Sequence, residues 1–370
     1  MLKGRRIIFV LGNLELGGAE RQALLLARYL AEREEAHVEV WGFTKSGPAA
    51  EICQQHGIAS RVVPYPLHGH SVEAIDNIGR LLLDAKPDIL LPYTFTPNVI
   101  CGLVWKATGA RSCVWNQRDE GQLPLSSSQA LAARQTPFFI SNSTAGARFL
   151  NKLGIDPAKV SVIPNGIAPA APESDRRAWR ARLAVDEQCL VACMVANLHA
   201  NKDHVTLLRA WRDFVSGFNA HGRHAVLVLA GRHDGAYESL ASLATELKID
   251  DSVRFTGPVS DVSGLLSAVD LGVLSSRSEG CPNAVLESMA AGLPVVGTDI
   301  EGIREVVGPA GAPFLAAVED HAALAAVLTT LANDHQLRTE IGAHNRERVR
   351  NSYDSERMCE ETAALLARIE

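Results

Sequence analysis

Apolar positions along this chain follow two alternating rhythms. Short runs dense in Val, Ile, Leu and Phe, suited to strands buried on both faces, alternate with longer stretches in which apolar residues return every three or four positions. In the first half the strand-like runs lie near 6–12, 37–43, 60–64, 88–93, 111–116, 138–142 and 160–163. Helical stretches lie near 19–34, 49–56, 71–85, 98–108, 126–135 and 144–153. This order predicts βαβ units and a parallel sheet. After Pro164, Asn165 and Gly166, the stretch IAPAAPESD is rich in Pro and Ala and reads as a hinge. The alternation then restarts, with strands near 189–196, 225–230, 252–256, 271–275 and 294–298, and the tail 319–369 reads as helical. The expected class is α/β: two doubly wound, Rossmann-like domains facing a central cleft. Residues 1–166 form the first domain, 167–188 a linker, 189–351 the second domain and 352–370 a C-terminal helix that could pack back on the first. Ligands of such sheets sit at the carboxyl ends of the strands, so loops from both domains would line the cleft.

Composition narrows the class. With 370 residues and 47% apolar content, the chain can bury two ordinary cores. Charged residues at 21% describe an ordinary globular protein, not a disordered one. No apolar run approaches the roughly 18–20 residues of a membrane-spanning helix, and the run after the basic start MLKGRR leads to Gly12 and Asn13 rather than to a cleavage site. Seven cysteines without a CxxC pair fit reduced, buried thiols and give no zinc pattern, which points to the cytoplasm. Cys189 and Cys193, on one face of a strand, read as core. The net charge of −6 argues against a nucleic-acid partner. Residues 1–170 hold 17 basic against 14 acidic residues (+3), and 171–370 hold 19 against 28 (−9). A mild basic excess is commonly just solvated surface. It could also help the first domain meet an anionic acceptor or make peripheral contact with the inner membrane face, without anchoring the protein there.

The segment 278–292, SEGCPNAVLESMAAG, carries the most chemistry. Glu279 and Glu287, with seven residues between them, bracket a loop-to-helix junction that follows the apolar run Leu271 to Ser276. Gly280 and Pro282 break the strand, Asn283 is a suitable N-cap, and Ala284 to Ala291 carries the helix. Backbone donors at such a helix start attract anions, because the unpaired N–H groups and the positive end of the dipole point the same way. Glu279 in the loop and Glu287 about one turn into the helix would add two carboxylates that accept from hydroxyl groups. A nucleotide sugar presents phosphate and hydroxyls together.

Here the chain resembles the retaining, family 4 glycosyltransferases of the two-domain GT-B fold. The resemblance covers nearly the whole chain: LELGGAERQALLLARYL, SNSTAGARFL, VSVIPNGI, VANLHANKDHVTLLRA, VLAGR, FTGPVSDVSGLLSAVDLGVLSS and SEGCPNAVLESMAAGLPVVGTDIEGIREVV. It implies that Glu279 contacts the donor sugar, that Glu287 holds the ribose, and that the backbone of Gly280, Cys281, Pro282, Asn283 and Ala284 holds the diphosphate or sugar hydroxyls.

Other loops can be weighed beside it. GNLELGGAE has neither the Lys-Ser/Thr ending of a Walker loop nor three spaced glycines of a dinucleotide fingerprint, which argues against an NTPase and a dehydrogenase. Gly17-Gly18 at a helix start is either a simple tight turn or, as the resemblance implies, a loop facing the donor diphosphate and the acceptor. Lys202 follows the first strand of the second domain. A lone lysine is usually surface, but its match to the family's basic pair makes it a point charge for the diphosphate. The family commonly has an arginine five residues earlier, where this chain has Asn197; Arg232 is a candidate replacement. After the fifth strand, where many relatives have a histidine, VWNQRDEG offers Arg118 for phosphate and Asp119 or Glu120 to orient the acceptor hydroxyl, or else a surface salt-bridge cluster. His37, His56, His68 and His70 show no ligand spacing, whereas His199 and His204 flank Lys202 and could line the site. The nucleobase is expected against the backbone of the 257–260 loop, which includes Val259.

The reaction expected from the resemblance is transfer of a sugar from a nucleotide-diphosphate donor to a carbohydrate or lipid-linked acceptor hydroxyl, with retention. It would occur in polysaccharide or glycolipid assembly, with no cofactor and, since no Asp-x-Asp cluster occurs at a suitable loop, no metal. No carboxylate nucleophile is evident, which favours a same-face mechanism in which the leaving phosphate helps deprotonate the acceptor. A sugar-nucleotide epimerase and a non-catalytic nucleotide-sugar-binding subunit remain as alternatives.

Overall fold

Strand β1 (Arg6–Leu11) shows how the pattern becomes a fold. Ile7, Phe9 and Leu11 pack into one apolar cluster while Ile8 and Val10 pack into another, so successive residues bury both faces of the sheet. The structure is a computed structural model that describes residues 2–65, 71–121, 125–168, 170–219 and 222–369. It divides into two compact units, Met1–Gly166 with Ser355–Glu370, and Ile167–Asp354.

The first unit adds β2 (His37–Gly42), β3 (Ala59–Val62), β4 (Ile89–Pro92), β5 (Ser112–Gln117), β6 (Phe138–Ser141) and β7 (Val160–Val162). All seven strands run parallel in the order β3-β2-β1-β4-β5-β6-β7. The Gly18–Glu32 and Ser355–Arg368 helices lie on the same face, where Leu26 and Leu30 share a cluster with Met358, Cys359 and Leu366. Gln22 exchanges two hydrogen bonds with the backbone of Gly166, at 2.9 and 3.0 Å, fixing the end of this unit against its first helix.

The second unit holds β8 (Leu190–Val195), β9 (Ala225–Ala230), β10 (Val253–Gly257), β11 (Leu271–Leu274), β12 (Val295–Thr298) and the two-residue β13 (Leu315–Ala316). The order is β10-β9-β8-β11-β12-β13, again all parallel. Leu190, Ala192 and Met194 face one core while Val191 and Cys193 face the other, which also takes Cys189; all seven cysteines are buried and none is in a disulfide.

Three local readings are corrected. The segment 167–188, expected as a linker, belongs to the second unit and contains a helix, Arg176–Arg182. Its Trp179 donates to Asp261 (2.8 Å), and its buried Arg180 donates to the carbonyls of Asp186, Cys189 and Ala268. Those partners are distant in sequence or lie in loops, so no local periodicity announces the helix. The strand read to Ser276 ends at Leu274. The helix expected to be capped by Asn283 begins at Asn283, with Pro282 as its N-cap, because the amides of Val285 and Leu286 both donate to the Pro282 carbonyl. Among the described residues no helix is long and apolar enough to cross a membrane.

Candidate active site

In each sheet the strand order reverses once, between β1 and β4 in the first and between β8 and β11 in the second. Neighbouring loops diverge to opposite faces there, leaving a crevice beyond the carboxyl ends of the strands. In the second unit the two loops at that point are the ones that carry Lys202 and Glu279.

Lys202 ends a short 3-10 turn, Ala200–Lys202, after β8, and Glu279 lies between β11 and the Asn283–Ala290 helix. The Lys202 ammonium is paired with Glu279 Oε1, which also accepts from Ser276 Oγ at 2.7 Å. The two side chains are 27% and 14% exposed, so the pair is largely withdrawn from solvent yet reachable. Backbone contacts hold the loops together. The Arg277 amide donates to the Asn201 carbonyl (2.8 Å), Asn201 Nδ2 to the Ser278 carbonyl (2.9 Å), and Ser275 Oγ to the Lys202 carbonyl (2.9 Å). Asp203, buried and left-handed at φ 48°, accepts from Thr206 and pairs with Arg277 at 3.3 Å. The lysine and the glutamate are therefore set by the loop backbones.

The Asn283–Ala290 helix starts beside this pair with no side chain capping it, so its first turn keeps the anion-attracting character expected of it. Gly280, Cys281 and Pro282 are buried; Asn283, Ala284 and Glu287 are half-buried. Gly302 packs against the loop from behind, where a Cβ would stand 2.1 Å from the Glu279 carbonyl and 2.4 Å from that of Gly280. Neither backbone atom can yield cheaply. Gly302→Ala is expected to cost about 1–3 kcal/mol of stability and to displace Glu279. Chemical denaturation of the variant checks the first effect and nucleotide-sugar affinity the second; unchanged values would show that the loop does not depend on this contact.

Asn197 and Arg232 are brought together, but for a structural purpose. Asn197 Oδ1 accepts from the Arg232 amide (3.0 Å) and the Leu198 amide donates to the Arg232 carbonyl (2.8 Å), splicing the loops after β8 and β9. The Arg232 guanidinium points to Asp234 at 3.4 Å and is 40% exposed. Val259 is half-buried and packs against the core that contains Leu265 and Leu266. His204 is buried, with no hydrogen bond to Nε2 among the described residues. Burial and the neighbouring Lys202 charge lower its pKa to about 4, against the opposing pull of Asp203. His199 turns its imidazole to the Asn201 amide at 3.2 Å.

In the first unit, Arg118 follows β5. It donates to Asn116 Oδ1 (2.7 Å) and Asn165 Oδ1 (3.2 Å), and its guanidinium lies 4.5 Å from the centroid of the Tyr93 ring. It is built into a polar cluster at the strand ends rather than into a surface salt bridge. Asp119 Oδ1 accepts from the Gly121 amide (2.9 Å) and from Gln117, while burial raises its carboxyl above the usual range. Gly17 is the N-cap of the Gly18–Glu32 helix, again without a side-chain cap. The Glu20 carboxylate folds back to within 2.6 Å of where a Gly17 Cβ would stand, so an acid already occupies this helix start. His37 and His56 are surface residues near strand and helix ends, and His68 and His70 lie outside the described residues. Among those described, no group of three or more His, Cys, Asp or Glu is disposed to hold a metal.

Sequence reasoning gave no role to Ser276, Asn201, Asn116 or Asn165. Their signal is weak, since small polar residues at strand ends are common and only the fold brings them to their partners.

Comparison with known proteins gives the family and the fold. Residues 16–171 match a family model described as Glycosyltransferase Family 4, and residues 190–334 one described as Glycosyl transferases group 1. A D-inositol 3-phosphate glycosyltransferase of Kineococcus radiotolerans is 33% identical over 221 residues, 55% of this chain and 51% of that protein. The lipopolysaccharide core biosynthesis glycosyltransferase LpsE of Rhizobium meliloti is 30% identical over 156 residues, 40% of this chain and 46% of that one. The chain spans about half the length of the curated relatives it matches. Among solved structures, Anabaena HepE in complex with UDP-glucose superposes with a TM-score of 0.85 at 21% identity, covering 98% of this chain and 99% of that one. WaaG, described as a glycosyltransferase involved in lipopolysaccharide biosynthesis, gives 0.74 at 18%, with coverage of 97% and 99%.

Proposed function

Since the chain belongs to the group 1 glycosyltransferases and has their two-domain GT-B fold, we propose that it moves a sugar from a nucleotide-diphosphate donor to an acceptor hydroxyl, with retention. The observation that carries this reading is the Lys202–Glu279 pair beside an uncapped helix start at the β8/β11 reversal. As the donor breaks, positive charge develops at the sugar and negative charge on the departing diphosphate. Lys202 has three N–H donors, of which Glu279 takes one, leaving others for phosphate oxygens. The first-turn amides of the Asn283–Ala290 helix add fixed donors that need no reorganisation during the reaction. Glu279 accepts from a sugar hydroxyl, and Glu287, about one turn into the helix, is assigned to the ribose. In the first unit the resemblance alone assigns the Gly17-Gly18 loop and Arg118 to the diphosphate and the acceptor side, and at Gly17-Gly18 an incoming phosphate would first have to displace the Glu20 carboxylate. A same-face step, with the leaving phosphate taking the acceptor proton, requires no protein nucleophile.

The acceptor is assigned to polysaccharide or glycolipid assembly, the setting of relatives such as LpsE. Seven buried cysteines, none in a disulfide, suit a reducing compartment, and the cytoplasm is part of this reading. The test is a thermal-shift panel of UDP-glucose, UDP-galactose, UDP-N-acetylglucosamine and GDP-mannose. At a hundredfold excess over Kd, the true donor stabilises the protein by about 2.7 kcal/mol, and its conversion must require an acceptor. Conversion without acceptor would mark an epimerase, binding without turnover a non-catalytic subunit, and no shift with any donor would sink the proposal.

A further inference from the structure

We propose that Ser276 is a positioning residue for donor selection, fixing one oxygen of Glu279 so that the other is presented to a hydroxyl of the transferred sugar. The inference rests on the donor site proposed above and assigns a residue that the resemblance leaves without a role. Ser276 lies two residues beyond the end of β11, and its side chain is fully buried. Its Oγ donates to Glu279 Oε1 at 2.7 Å, the same oxygen that accepts from Lys202. Ser276 is itself held from the neighbouring strand, because Thr298 Oγ1 at the end of β12 donates to its carbonyl.

An ionised carboxylate is an acceptor with two oxygens. Here both protein donors take Oε1, and no described residue donates to Oε2. Turning the carboxylate would break a charge-assisted bond to a buried hydroxyl as well as the ion pair. Oε2 is thus left as a single, fixed acceptor. A site built to accept from one hydroxyl discriminates strongly against donors that lack it or place it differently, because the bound donor shuts water out and that oxygen is then left unpaired. Lys202 alone would not achieve this: an ammonium on a flexible stem is a point charge and does not hold the carboxylate in one orientation. The buried serine supplies the direction.

The experiment uses the full-length chain and the nucleotide sugar from the panel that shifts it most, with the matching nucleoside diphosphate as control. Affinities for both are measured by calorimetry for wild type, Ser276→Ala, Ser276→Thr, Glu279→Ala and the Ser276→Ala/Glu279→Ala double variant. Ser276→Ala is expected to lose about tenfold to a hundredfold in preference for the nucleotide sugar over the diphosphate, the size of one bond to a charged group, with diphosphate affinity unchanged. Ser276→Thr, which keeps the hydroxyl, restores most of the preference. In the Glu279→Ala background, removal of the Ser276 hydroxyl has no further effect, as required of a residue acting only through Glu279. The proposal is overturned if Ser276→Ala keeps the wild-type preference, loses sugar and diphosphate binding equally, or shows the same loss with and without Glu279. Absence of any preference in the wild type would instead overturn the donor site as well.

Discussion

Lys202→Ala is expected to lower glycosyl transfer by about 10²- to 10³-fold in kcat, the cost of removing one preorganised group that stabilises developing negative charge. The lysine is the only described cation paired with Glu279, and its loop is fixed to the Glu279 loop by the Asn201 and Ser275 bonds. Its removal takes away charge from the leaving diphosphate and leaves Glu279 with Ser276 alone. Global stability is expected to fall by about 1–3 kcal/mol, because the Glu279 carboxylate, 14% exposed, keeps Ser276 but loses its counter-charge. The measurement is steady-state kinetics with the donor and acceptor pair, beside a denaturant midpoint. A folded variant with wild-type kcat would remove the leaving-group role from Lys202.

The second large effect is on stability against pH and comes from His204. Its folded pKa is lowered to about 4 from 6.5, because the imidazole is buried and feels the positive charge of Lys202, with Asp203 the opposing neighbour. The folded state therefore keeps His204 neutral through a range in which the unfolded chain takes up a proton. For a depressed histidine the stabilisation is fully present above pH 6.5, is lost as pH falls from 6.5 to about 4, and changes no further below that. A shift of this size corresponds to about 3 kcal/mol. Denaturation of wild type and His204→Gln at pH 7.5 and pH 4.5 should show a steeper loss in the wild type by about 2–3 kcal/mol. An imidazole NMR titration with an ordinary midpoint near that of a free histidine would contradict the account. The same proton entering beside Lys202 would strain the donor loop, so binding and stability should fail together on the acid side.

Much of the fold was legible because strands buried on both faces write themselves as continuous apolar runs. β1, β2, β9 and β12 were found within one or two residues for that reason, and the break after Asn165-Gly166 coincides with the end of the first unit. The Arg176–Arg182 helix escaped because what orders it is tertiary: Trp179 on Asp261, and Arg180 under three carbonyls. β13 escaped because two residues carry no period. In the site, Glu279 and Lys202 were recognisable from their loops, while their direct pairing was not, since 77 residues separate them and only the β8/β11 adjacency joins them. The departure at Asn197 also gains a physical meaning. An amide can accept the Arg232 N–H where an arginine side chain has no acceptor, so this chain uses the position to splice two loops.

A structure of the protein with its bound nucleotide sugar, the one that gives the largest thermal shift, addresses the core claim head-on. The account predicts diphosphate oxygens within hydrogen-bond reach of Lys202 Nζ and the first amides of the Asn283–Ala290 helix, with Glu279 Oε2 against a sugar hydroxyl. A donor whose diphosphate lies away from Lys202, or whose sugar leaves Glu279 untouched, would contradict it.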